Sequence, residues 1–175
     1  MAVTEKELRN EVERLAKTPE VIAYHKAKEE LYDFLENKQE NKVNAFLEEL
    51  LPIVLKTIQS VKLPNPIERE LWLSEYQDYS DDIKVDTTDL ITFFDNYAAK
   101  TGQNDFSVIG HSCAIKIYKG FGKYYVIEFC EQWDDGHYAH DVASWVYVGD
   151  INTITIKDID EPELAYDYRR YFRDE

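Results

Sequence analysis

A series of short alternating segments separated by turn residues constrains the fold of this chain more than any other feature. The predicted strands lie at 112–118, 123–132, 138–148 and 152–157, with turns at 119–122, 134–136 and 149–150. Glycine and Asp-Gly sequences accept the positive φ angles that tight hairpins need. The pattern therefore predicts an antiparallel β-meander.

The register of the central hairpin follows from its turn. If Asp135-Gly136 is a two-residue turn, the opposed pairs are Glu131 with His140, Phe129 with Val142, and Val126 with Trp145. One face then carries Phe129, Ile127, Tyr125, Val142 and Val146, and the other carries Trp145, Tyr147, Tyr124, Cys130 and Asp141.

The two cysteines are also expected to be neighbours. Pairing Lys119 with Tyr124 sets Cys113 opposite Cys130. In a reducing cytoplasm this pair is predicted to be two buried small apolar residues, not a disulfide.

Amphipathic helices are predicted before residue 62. A capping box at Thr4-Glu5-Lys6-Glu7 starts the first, and Thr18-Pro19 starts the second, whose buried stripe is Val21, Tyr24, Leu31 and Leu35. Residues 36–41 are expected to break it. A third helix follows from Asn41 or Lys42, and Pro52 is expected to kink or divide it.

A proline-rich stretch, Lys62-Leu63-Pro64-Asn65-Pro66, predicts a boundary between a helical region (1–61) and an α+β domain (67–175), or a bend within one integrated domain. After it we expect strands at 70–76 and 83–85, an inserted helix that starts after Asp86 and stops at Gly102, and a C-terminal helix that starts at Asp160. The predicted fold is α+β, with N-terminal helices packed on a meander of four to five strands.

The whole chain has a net charge of -15, and acidic residues are most concentrated in its second half. Between Glu128 and Asp167, eleven carboxylates face one cation, Lys157, and aromatic residues lie between them. A second acidic stretch from Glu68 to Asp95 has nine carboxylates against two cations. The aromatic content indicates a folded acidic surface and not a disordered tail.

This charge limits the classes of partner. An acidic surface repels phosphate backbones and anionic lipid headgroups, so direct binding to nucleic acid or to a membrane is not expected. No apolar run reaches the length of a membrane span, and no signal peptide is evident, which predicts a cytoplasmic protein.

No catalytic motif is complete. The sequence from Asp134 to Asp141 concentrates carboxylates and imidazoles near one hairpin, but His137 and His140 are three residues apart, and on a strand they point to opposite faces. A polar hairpin without a metal is the preferred interpretation. We expect no cofactor, no metal and no catalytic residues.

The sequence therefore predicts a non-enzymatic binding protein whose carboxylates occupy a basic, nucleic-acid-binding groove of a nuclease or defence effector. Phage inhibitors of host defence, such as anti-CRISPR or anti-restriction proteins, use this DNA-mimic physics in the host cytoplasm, and so do immunity proteins that neutralise nuclease toxins. The expected partner-binding residues are Glu128, Glu131, Trp133, Asp134, Asp135, Tyr138, Asp141, Asp150, Tyr76, Asp78, Tyr79, Asp81 and Asp82.

Two alternatives from other classes remain. One is a small metal-dependent hydrolase that uses the cluster from Asp134 to Asp141. The other is a structural or oligomerisation module in which the amphipathic N-terminal helices form the working surface.

Overall fold

The computed structural model describes residues 5–75, 83–101, 112–132, 139–169 and 172. The chain divides into two compact units, residues 1–41 and 42–175. This division differs from the predicted boundary at residues 62–66, because residues 43–58 pack in the core of the second unit. Within the described residues, no helix has the length and apolar character needed to cross a membrane.

The first unit contains α1 (Glu5–Ala16) and the beginning of α2 (Pro19–Gln59). The Thr18 hydroxyl donates to the Leu15 carbonyl at 2.9 Å, and Pro19 opens α2 as predicted. The prediction of a buried stripe is wrong for Tyr24, Leu31 and Leu35, which are exposed. No described side chain of this unit covers them.

Helix α2 is continuous over 41 residues, so the predicted break at residues 36–41 is wrong. This segment contains no glycine or proline, and the Asn37 side-chain amide donates to the Asp33 carbonyl at 2.7 Å. Pro52 does not divide the helix either. The hydrogen bond that it removes is offset by the burial of Leu50, Leu51 and Val54 around it.

The second unit is built on a six-stranded sheet in the order β2-β1-β3-β4-β5-β6. The strands are β1 (Leu71–Ser74), β2 (Ile83–Lys84), β3 (Cys113–Lys119), β4 (Tyr125–Gln132), β5 (Ala139–Tyr147) and β6 (Ile159–Leu164). β1 and β2 are parallel, and the other neighbours are antiparallel. The predicted α+β fold with a meander is confirmed.

Helices cover one face of this sheet. Helix α3 (Thr88–Thr101) starts where predicted, with the Asp86 carboxylate accepting the Thr88 backbone N–H at 2.9 Å. Its Phe94 ring stacks on Phe129 of β4 with centroids 5.2 Å apart, and Phe46 of α2 lies 5.9 Å from Phe94. The core therefore lies between the sheet and the helices α2 and α3.

The predicted strand at 152–157 and the predicted helix from Asp160 are both wrong. Residues 156–158 form a 3-10 turn, in which the Asp158 carboxylate accepts the Thr155 backbone N–H at 2.8 Å, and β6 follows. Pro162 is tolerated because β6 is an edge strand. The short helix α4 (Tyr166–Arg169) comes after it.

The predicted register is correct only near the turn of the β4-β5 hairpin. Glu131 lies opposite His140 as expected, but a bulge between Phe129 and Cys130 shifts the pairing, so Phe129 opposes Ala143 and Ile127 opposes Trp145. The extra residue, Val142, reverses the alternation. As a result Trp145 and Tyr147 lie on the helix-covered face, and the prediction that placed them beside Asp141 is wrong.

The predicted pairing of the two cysteines is also wrong. The loop between β3 and β4 contains the five residues 120–124, with Gly122 at φ 65°, and sets Lys119 opposite Tyr125. Cys113 therefore opposes Glu131, and Ala114 opposes Cys130. Adjacent strand positions point to opposite faces, so the two buried thiols are separated by the sheet.

Candidate protein-binding site

One row of side chains crosses five strands on the sheet face opposite α2 and α3. Trp72 opposes Lys116, Lys116 opposes Glu128, Glu128 opposes Ser144, and Ser144 opposes Glu163. Directly opposed residues of an antiparallel ladder share a face, so all five point the same way. Two neighbouring rows contain Val126, Val146 and Asp160, and Cys130 and Asp141.

Four carboxylates share this face, which we call the acidic face: Glu128, Asp141, Asp160 and Glu163. Among the paired positions of β3 to β6 that lie on this face and whose side chains are described, Lys116 is the one cation. Asp160 and Glu163 are exposed, and the Asp141 side chain is 58% exposed. Residues of two separate acidic segments of the sequence, 128–141 and 150–167, therefore converge on one surface.

Lys116 and Glu128 form an ion pair near the centre of the acidic face. Their side chains are only 18% and 13% exposed, and the Lys116 ammonium also lies 3.9 Å from an Asp141 carboxylate oxygen. The Tyr118 hydroxyl donates to the second Glu128 oxygen at 2.6 Å. Glu128 therefore has two partners within the sheet, and its side chain is much less exposed than that of Asp141.

Two aromatic rings enclose the lysine. Its ammonium lies 5.5 Å from the centroid of Trp72 and 5.4 Å from that of Tyr118, both within cation–π range. The Trp72 indole N–H donates to Glu70 at 2.6 Å, which fixes the ring. This arrangement places the Lys116 charge against Glu128 and, at a longer distance, against Asp141.

The ion pair changes the titration of its members. Burial acts to lower the pKa of Lys116, but the hydrogen bond and the negative charge of Glu128 outweigh it, and the net pKa is raised. Burial and the hydrogen bond to Glu128 raise the pKa of Tyr118 to about 12. Both groups therefore keep their protons throughout the neutral range.

Glu128, Cys130 and Asp141 place one donor atom each within 4.8 Å of one another, a spacing that could suit a metal ion. The local chemistry opposes this use. The Lys116 ammonium already pairs with Glu128, and burial, followed by the charge of Asp141, raises the pKa of the Cys130 thiol well above its usual value. Cys130 instead lies 3.5 Å from the Asp141 oxygen as a weak S–H donor.

Asp150, another predicted binding residue, lies beyond the other end of β5. Its carboxylate accepts hydrogen bonds from the backbone N–H and the amide of Asn152, which hold its pKa below the usual value. Asp141 and Tyr147 are six residues apart along the strand, about 20 Å. Asp150 therefore shapes a turn and does not join the acidic face.

The remaining predicted residues divide into two groups. Glu131 lies in β4 opposite His140, at a position whose side chain is not described. Outside the described residues lie Tyr76, Asp78, Tyr79, Asp81, Asp82, Trp133, Asp134, Asp135 and Tyr138, and with them most of the cluster considered for a hydrolase.

Sequence reasoning did not select Lys116, Asp160 or Glu163 for this surface. Asp160 and Glu163 were assigned to a helix, which hid the edge strand whose irregular register with β5 places both on one face. Lys116 had a signal: it is a single cation between the apolar residues Ile115 and Ile117, a pattern that indicates a charge partner on a neighbouring strand.

Comparison with other proteins gives no further guide to the site, since no family model, curated protein or solved structure matches this chain.

Proposed function

We propose that this chain is a non-enzymatic binding protein whose acidic face occupies the basic, nucleic-acid-binding groove of a nuclease or defence effector. The observation that supports this function most is the convergence of exposed carboxylates from two sequence segments on one sheet face. A rigid sheet fixes their positions, so arginine and lysine side chains of a partner can pair with them at little cost in ordering.

The spacing of the carboxylates can be compared with the spacing of phosphates along a DNA strand. Glu128 and Glu163 are two strands apart, about 10 Å, and Asp160 and Glu163 are a similar distance apart along β6. Each DNA strand carries one charge per about 3.4 Å of helix axis. The acidic face is therefore sparser than a phosphate backbone, and it imitates the field of a nucleic acid instead of copying each phosphate.

Half-buried apolar and aromatic side chains lie between the charges. Val126, Val146, Tyr118 and Trp72 share the face and are each partly exposed. Desolvation of such groups contributes binding energy that exposed charges alone do not give. We infer that the carboxylates speed the approach of a basic partner and that contacts with these apolar and aromatic side chains stabilise the complex.

The test compares two triple variants that change the net charge equally. Asp141→Asn, Asp160→Asn and Glu163→Gln neutralise the acidic face. The matched control, Glu48→Gln, Glu68→Gln and Asp95→Asn, neutralises exposed carboxylates that lie outside the sheet.

Both variants and the unmodified chain are assayed against purified nucleases and nucleic-acid-binding effectors, with duplex DNA as competitor. We expect salt-sensitive binding that DNA displaces, a loss of about 10- to 100-fold in the first variant, and less than about three-fold in the control. Equal losses of affinity in the two variants would show that binding depends on the net charge of the protein and not on the acidic face. No binding to any tested effector at low salt would contradict the proposal.

The biological setting has two versions, a phage inhibitor of host defence and an immunity protein against a nuclease toxin. Both place the acidic face in a basic groove. A toxin nuclease in the panel separates them, because an immunity protein binds its own toxin and leaves defence effectors unbound.

A further inference from the structure

The first unit of the chain presents a large apolar surface. Nine large apolar side chains between residues 8 and 35 are 43% to 65% exposed: Leu8, Val12, Leu15, Ile22, Tyr24, Leu31, Tyr32, Phe34 and Leu35. Leu8, Val12 and Leu15 form one stripe along α1, and Val21, Tyr24, Leu31, Tyr32 and Leu35 form another along α2. These two stripes make up what we call the helical stripe surface.

Such a surface requires a partner for its stability. A helix of 12 residues, the length of α1, is marginal in water by itself, and most helices gain their stability by packing an amphipathic face. The seven exposed side chains of the two stripes together offer roughly 700 Å² of apolar area. Burying about three quarters of it on each of two chains gives about 1,000 Å², the lower size of a specific interface.

The charge distribution indicates what the partner is. Residues 1–41 carry ten acidic and seven basic side chains, a net charge of -3, whereas residues 42–175 carry a net charge of -12. A basic partner is attracted more strongly to the second unit, and an acidic partner is repelled by the chain as a whole. The helical stripe surface is the part of this acidic protein at which two identical copies repel each other least.

We propose that the helical stripe surface binds the same surface of a second copy of this chain, forming a two-fold symmetric helical dimer. Acidic and basic residues are interleaved along both helices, so the charge along this unit is nearly balanced and opposes an isologous contact less than the second unit would. This interface shares no residue with the acidic face, and each dimer contains two acidic faces.

Salt distinguishes this association from the proposed binding function. Apolar contacts are not weakened by salt, and salt screens the repulsion between two chains of charge -15. The dimer should therefore persist or tighten at about 0.5 M salt, a concentration that weakens binding through exposed charges. Failure of one proposal then leaves the other standing.

The experiment is sedimentation equilibrium of the full chain over about 1 to 200 µM protein at low and high salt. Leu31→Ser with Leu35→Ser should weaken dimerisation at least ten-fold. The matched control, Val148→Ser with Ile156→Ser, removes apolar side chains that are 42% and 56% exposed in the second unit and should change it less than two-fold. Circular dichroism reports whether helix is lost.

Crosslinking of introduced cysteines gives a second measurement of dimerisation. It does not require the double leucine-to-serine substitution, which removes apolar contacts. The native cysteines are buried, so a long bifunctional thiol reagent should link Leu35→Cys chains efficiently and Lys26→Cys chains, substituted on the opposite side of α2, poorly. A monomer at about 200 µM in both salts, equal weakening in the control pair, or equal crosslinking at both positions would overturn the proposal. If the chain is a monomer under these conditions, the helical stripe surface binds a different protein.

Discussion

Replacing Lys116 by methionine should show how much the central ion pair contributes. The substitution keeps the length and apolar contacts of the side chain but leaves the Glu128 carboxylate, 13% exposed, without its cation. Removing one partner of a fully buried pair costs about 3 to 5 kcal/mol, and the partial exposure here lowers the expected loss to about 2 to 3 kcal/mol.

The reciprocal change separates the pair from its surroundings. Glu128→Gln retains an acceptor for the Tyr118 hydroxyl, and the double variant with Lys116→Met leaves only the exposed Asp141 charge at this site. We expect the double variant to lie within about 1 kcal/mol of the unmodified protein, well below the sum of the two single losses. Lys119→Met, an exposed lysine at the end of the same strand, is the control and should cost less than about 0.5 kcal/mol.

The assay is urea denaturation followed by circular dichroism, from which the free energy of unfolding is obtained for each variant. A loss below about 0.5 kcal/mol for Lys116→Met, or strict additivity of the two substitutions, would show that Lys116 and Glu128 are not a partly buried pair.

The same pair has a pH signature. Because the pKa of Lys116 is raised from 10.5 in the folded state, its contribution is complete below about pH 10.5 and is lost as the pH rises through the folded value. The raised pKa of Tyr118, about 12, has the same sign. The free energy of unfolding should therefore fall between about pH 10.5 and 12, and it should fall less steeply in Lys116→Met.

Three further outcomes are expected. Asn152→Ala should cost about 2 to 3 kcal/mol in urea denaturation, because the Asn152 side chain accepts the Leu63 backbone N–H at 2.8 Å and donates to its carbonyl at 3.0 Å; a loss below about 0.5 kcal/mol would contradict this bridge. Tyr147→Phe should change stability by less than about 0.5 kcal/mol or increase it, since the buried hydroxyl has no hydrogen-bond partner among the described residues, and a large loss would reveal one. A thiol reagent should modify neither Cys113 nor Cys130 in the folded protein and both after denaturation, and a disulfide between them would refute their placement on opposite faces.

Much of the second unit could be predicted because turn chemistry and alternation are local signals. The β3-β4 and β4-β5 hairpins, the start of α3 after Asp86 and the start of α2 at Pro19 all depend on residues within one turn of the feature. The unbroken course of α2 and the strand β6 could not be predicted in this way. A strand that contains Pro162 is stable only at the edge of a sheet, and strand order is not a local property.

The candidate site shows the same limit. The sequence identified an acidic surface and named Glu128 and Asp141, but a single extra residue at Val142 exchanged the faces of everything beyond it, so Trp145 moved into the core. A bulge is selected by packing against the helices, which a count of hairpin residues does not include.

What the sequence determined by itself is the charge of the protein, its α+β class and the existence of its hairpins, because these follow from composition and from chemistry within a few residues. What only the tertiary structure decided is which carboxylates meet. Asp141 and Glu163 are 22 residues apart along the chain and share a face because β5 and β6 pair in one register. Pairing register is set by the packing of the opposite face against α2 and α3, and that packing depends on the whole unit at once.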